Sequence, residues 1–113
     1  MPVRYLEKAE WNPFFDHLSK TLSGSQVEID VGSLALGGYV QADWVPLIGL
    51  VYDPKDDVVE VALEGLDHLI RRPREIHVEE GVGQLVSIEI IDAQDSHQII
   101  KLKEPLLLPA PQK

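Results

Sequence analysis

From Gln26 onward apolar and polar residues alternate with a period of two, the spacing that puts one row of side chains on each face of a strand. Val27, Ile29 and Val31 alternate with Glu28 and Asp30, and Val40, Ala42 and Trp44 with Gln41 and Asp43. Further strands are expected at Glu75–Glu79, Leu85–Ile91 and Gln98–Lys103. Ahead of them, Phe14, Leu18 and Leu22 recur every four residues beside Phe15, which predicts a helix from about Asn12 to Leu22. Asn12 suits its cap, Pro13 its first position and Ser23-Gly24 its stop, so Trp11 would sit just before the cap and staple it. Gly32 to Gly38 reads as a bend.

Residues 46–63 read as two antiparallel strands joined by Asp53-Pro54-Lys55-Asp56-Asp57. A second turn, Asp92-Ala93-Gln94-Asp95-Ser96, has the same Asp-x-x-Asp-polar order. If both close alike, Tyr52 faces Val58 and Ile91 faces His97. That register puts Val86, Ile88 and Ile90 on the same face as Ile100 and Leu102. A slip of one residue would set Lys101 and Lys103 against the isoleucines. In the 46–63 segment the same alternation leaves both faces apolar. One carries Leu47, Gly49, Val51, Val59, Val61 and Leu63; the other carries Ile48, Leu50, Tyr52, Val58 and Ala62 with one charge, Glu60. A sheet wet on one side is not apolar on both. The second face therefore needs cover from the helix, from a bend in the sheet or from another subunit.

The chain has 113 residues, the size of one domain, with residues 1–10 and 104–113 expected as extended termini. No run of eighteen apolar residues occurs, so no transmembrane helix is expected. The charged N-terminus and the absence of cysteine point to a cytoplasmic protein without disulfides or thiolate metal sites. A formal charge of −9 argues against nucleic acid and anionic membranes as partners. Between Glu28 and Asp67 stand nine acids and one base, Lys55.

Catalytic patterns are lacking. The aspartate turns have no EF-hand spacing. His17, His68, His77 and His97 form no close pair that would signal zinc. No serine lies in a nucleophile elbow, and Gly32–Gly38 is no phosphate loop. No cofactor, metal or enzymatic activity is therefore expected. Arg71, Arg72 and Arg74, with His68 just before them, make the one place in an acidic chain where a small anion would be welcome.

The segments Pro46–Asp57, Asp67–Pro73 and Glu75–Val78 together resemble a small family of uncharacterised bacterial proteins, a domain of unknown function. The resemblance covers about Trp11 to Leu102 and rests on turn and packing residues. It implies a shared fold and carries no activity.

These observations predict a single α+β domain: an N-terminal helix packed on a bent antiparallel sheet of five or six strands. A small SH3-like or Sm-like barrel is the favoured form, and a flatter sandwich the alternative. The expected function is a non-catalytic, self-associating protein-interaction module anchored by Ile48, Leu50, Tyr52 and Val58. The alternative is a binder of a small anionic ligand at His68, Arg71, Arg72 and Arg74.

Overall fold

A computed structural model describes residues 3–33, 37–81 and 84–107. It contains one helix and eight strands: β1 (Val3–Leu6), α1 (Lys8–Leu22), β2 (Gln26–Ser33), β3 (Gly37–Asp53), β4 (Val58–Leu63), β5 (Leu66–Arg71), β6 (Pro73–Gly81), β7 (Gln84–Asp92) and β8 (His97–Leu107). The strands form one antiparallel array in the order β1-β6-β7-β8-β2-β3-β4-β5. This corrects the expected fold class. Among the described residues the protein is mostly sheet, with eight strands rather than five or six in an α+β arrangement. Its strand order has two ends, β1 and β5, rather than a closed SH3-like or Sm-like ring.

The two strands that alternation missed explain the difference. In β5 the inward row is Leu66, His68 and Ile70, and the outward row includes Leu69, so polarity does not follow the faces. Strand β1 has four residues and is recognisable only by its partner: Val3 pairs with Glu79 and Tyr5 with His77. It lies in the segment read as an extended terminus.

The helix begins four residues before Asn12, with Glu7 at its cap and no side chain bonding there. Pro13 lies inside it, where it removes the one bond that would reach Ala9. Trp11, Phe15, Leu18 and Leu22, spaced four, three and four residues apart, form the buried stripe. Trp11 is thus a core residue of the helix, and its indole N–H donates to the Leu6 carbonyl at 3.1 Å.

Strand β3 runs for seventeen residues and changes partner midway. Its first part pairs with β2 as far as Pro46, and Leu47–Asp53 pairs with β4 on the opposite edge. Where it leaves β2, the helix takes over the vacated edge. The Leu50 N–H donates to Ser19 Oγ at 3.2 Å, and the Tyr52 carbonyl accepts from Asn12 Nδ2 at 3.5 Å. Gly49 lies directly under this contact: a Cβ there would sit 3.4 Å from Ser19 Oγ, at the near limit of ordinary contact.

A bulge between Leu47 and Gly49 resolves the doubly apolar hairpin. Leu47 pairs with Leu63, but past the extra residue Leu50 pairs with Val61 and Tyr52 with Val59. Leu47, Leu50 and Tyr52 therefore all face the core with Val59, Val61 and Leu63, and each is buried. Ile48 and Val51 are left outside, 60% and 49% exposed. The two aspartate turns also differ. The first takes its left-handed residue at Asp57 and closes Asp53 on Val58, so Tyr52 does not face Val58. The second takes it at Asp95 and closes Ile91 on His97, as expected from the pattern. Ile88, Ile90, Ile100 and Leu102 are buried together, while a second bulge replaces Val86 in that row with Leu85.

Arg72 joins β5 to β6 with a left-handed φ of 51°. Its N–H donates to the Asp57 carbonyl at 2.8 Å, and its carbonyl accepts from Ala93 N–H at 2.9 Å. A single strained residue thereby ties the two aspartate turns together.

Candidate functional site

The eight residues singled out from the sequence do not share one environment. Leu50 and Tyr52 belong to the core, Ile48 is exposed, and Val58 is half-buried. They do not form one surface, because the bulge turns Ile48 away from Leu50. Burial pushes the Tyr52 phenol up to about 12, helped by its hydrogen bond to Asp57 Oδ1 at 2.8 Å.

His68 points inward from β5, and its Nε2 lies 2.5 Å from Gln98 Oε1. The Gln98 amide donates in turn to Asp92 Oδ2 at 3.3 Å. Asp92 Oδ1 accepts the backbone N–H groups of Gln94 and Ser96 at 2.9 and 3.0 Å. Because Gln98 presents its oxygen to the imidazole, His68 Nε2 must carry the proton and donate. Gln98 and Asp92 are both buried, so Asp92 is a structural anchor rather than a water-facing turn residue. Arg71 and Arg72 are exposed and line a cleft of about 260 Å³ with Leu69, Ala93, Gln94 and Gln98. Arg74 is not part of that lining; it pairs with Asp95 and, at 3.8 Å, with Glu75. The structure therefore brings Arg71 and Arg72 together above Gln98, connects His68 to the same amide from within, and leaves Arg74 outside.

A larger groove, of about 430 Å³, lies on the outer face of the sheet and was not anticipated. Two cross-strand rows build it. One runs Val3, Glu79, Ser87, Lys101 across β1, β6, β7 and β8; the other runs His77, Glu89, Ile99 across β6, β7 and β8. Val86, Leu102 and Trp44 complete the lining, Trp44 with a left-handed φ of 53°. Ser87 Oγ donates to Glu79 Oε1 at 3.2 Å, and His97 Nδ1 lies 2.9 Å from Glu89 Oε2. Lys101 is held by Asp30 at 2.6 Å and Glu28 at 3.8 Å. Its hydrogen bond holds the Asp30 carboxyl below the usual carboxylate range, whereas the hydrogen bond with Asp30 raises Glu28. Asp30 Oδ1 is buried without a hydrogen-bond partner among the described residues. In the sequence these residues register only as the outward halves of strands; their convergence depends on pairing between distant segments.

The other open feature is an edge. Among the described residues, Gly37–Val45 of β3 has no partner strand on the side away from β2. Tyr39 and Val40 stand on this stretch 48% and 54% exposed. Among the described residues no cluster of three or more His, Asp or Glu could hold a metal ion. No helix there is long and apolar enough to cross a membrane.

Comparison with known proteins gives two matches. The model of a family of unknown function, DUF5335, matches residues 3–111. An uncharacterized protein of Aquifex aeolicus is 40% identical over 110 residues, covering 96% of this chain and 99% of the relative. No solved structure matches.

Proposed function

The chain belongs to the DUF5335 family, and we propose that it is a non-catalytic protein-interaction module that self-associates. The observation that carries this reading is the free edge of β3. An edge with unpaired backbone groups and adjacent exposed apolar side chains is a template for another strand. Tyr39 and Val40 supply the apolar contact, and no proline or lysine within Gly37–Val45 blocks approach. Two copies related by a two-fold axis at Gln41 would pair antiparallel and set Tyr39 of each opposite Asp43 of the other. The interaction surface thereby moves from the Ile48–Val58 set, half of which is core, to the first part of β3. A cytoplasmic setting accords with the absence of cysteine.

Light scattering at low and high micromolar concentration tests this. The expected result is a dimer whose mass falls to that of the monomer in the Tyr39→Lys/Val40→Lys double variant, with Ile48→Lys unchanged. A monomeric parent protein, or a dimer indifferent to the double variant, refutes the reading.

A second reading, a small-anion site, is favoured by the cleft beneath Arg71 and Arg72. Neither arginine forms an ion pair among the described residues. Asp92, the acid in that cleft, already accepts three hydrogen bonds. Phosphate titration followed by NMR would shift the Leu69–Arg72 and Ala93–Gln94 amides; their immobility at millimolar phosphate would remove this reading.

A further inference from the structure

The groove on the outer face has a charge pattern that selects its occupant. Lys101, the one Lys or Arg lining it, has its ammonium engaged by Asp30 and Glu28. Glu79 receives only the Ser87 hydroxyl, and Glu89 meets only His97. Two carboxylates therefore face the groove without a lysine or arginine partner among the described residues. They are diagonal neighbours, since Glu79 pairs with Ser87 and Glu89 with His77. Diagonal positions lie about 7–8 Å apart, so both carboxylates reach a single cation placed between them. Ser87 Oγ, whose proton goes to Glu79, keeps its lone pairs for a third contact. The remaining lining is His77, whose Nε2 is engaged by Glu75 at 3.1 Å, and the apolar Val3, Val86, Ile99 and Leu102, with Trp44 as the aromatic wall. An indole face attracts a cation as well as an apolar body. The volume of about 430 Å³ lies in the range of small-molecule clefts. The chain's charge of −9 adds a long-range pull of the same sign.

We propose that this groove binds a small organic cation, a primary ammonium carried on an aromatic or branched aliphatic body. The ammonium sits between Glu79 and Glu89, and the body rests against Trp44 and Ile99. A carboxylate ligand of the same shape is rejected, because Lys101 is neutralised and the two glutamates repel it. Trp44 also belongs to the Gly37–Val45 stretch, but the charged residues of the groove lie on β6, β7 and β8, away from the β3 edge and the arginine cleft, so the charge-swap test is distinguishable from the test of the functional reading above.

The test uses phenethylamine and 3-phenylpropionate, which share an aryl body and differ in the sign of charge. The chain has two tryptophans, so its two indole N–H signals report the groove and the core separately. Phenethylamine is expected to shift the Trp44 indole in a saturable manner, with the Trp11 signal unmoved. The phenylpropionate should leave both in place. In the Glu79→Gln/Glu89→Gln variant, phenethylamine binding should weaken by about threefold or more for the pair. An unchanged Trp11 signal shows that the variant is folded. Equal binding of the two probes, tighter binding of the acid, absence of any Trp44 shift, or full binding to the folded variant would each overturn the proposal.

Discussion

Strict alternation places Ile48 and Leu50 on one face of a strand, so truncating either to alanine should cost about the same. The bulge between Leu47 and Gly49 predicts a large inequality instead. Leu50 is fully buried, while Ile48 is 60% exposed. Leu50→Ala removes three methylene-sized groups from the core, about 2.4 kcal/mol at roughly 0.8 kcal/mol each. The cavity left beneath the helix brings the total to about 3–4 kcal/mol. Ile48→Ala removes groups that already meet water and should cost about 0.5 kcal/mol or less. Urea denaturation followed by far-UV circular dichroism measures both. With an m-value of about 2 kcal/mol/M, Leu50→Ala should lower the midpoint by roughly 1.5–2 M, and Ile48→Ala by about 0.25 M or less. The comparison requires equal m-values in the two variants. Equal losses of stability would mean that alternation runs unbroken from Leu47 to Tyr52, and the assignment of Leu50 and Tyr52 to the core would fail with it.

Three further outcomes follow from particular contacts. Ser19→Ala leaves the Leu50 N–H without its acceptor and should cost about 1–2 kcal/mol, with faster hydrogen exchange at Leu50 while its neighbours stay protected. Arg72→Gly relieves a left-handed backbone and should raise stability by about 0.5–1 kcal/mol in thermal unfolding, provided the bonds to Asp57 and Ala93 persist; a loss of stability would deny that the residue is strained. Tyr52 ionises in the folded protein near pH 12, against about 10 when unfolded, so the folded state binds the extra proton between those values. Its contribution is complete below pH 10 and is lost as pH rises toward 12. A tyrosinate absorbance titration should show a late step, and Tyr52→Phe should abolish it.

Much of the fold could be read locally. The period of two marked β2, β4, β6, β7 and β8, and the Leu18 and Leu22 spacing marked the helix, because these signals need only neighbouring residues and one buried side. The second aspartate turn even set its register correctly, with Ile91 opposite His97, since a slip there would bury Lys101. Strand β5 escaped because its inward row contains His68, whose polarity is answered by Gln98, thirty residues away. The helix start escaped because Trp11 serves equally well as a staple before a cap or as the first buried side chain of the stripe.

Sequence by itself determined an acidic chain without cysteine, its principal strands, its turns and the apolar stripe of its helix. Tertiary structure alone decided which of two apolar rows in β3 becomes core. A bulge is a property of two paired strands, so a single strand's pattern cannot reveal it. It also decided that Arg74 leaves the arginine cleft and that Val3, Glu79, Ser87 and Lys101 share one groove. Those four residues come from four segments spread along the chain, and strand pairing is what makes them neighbours.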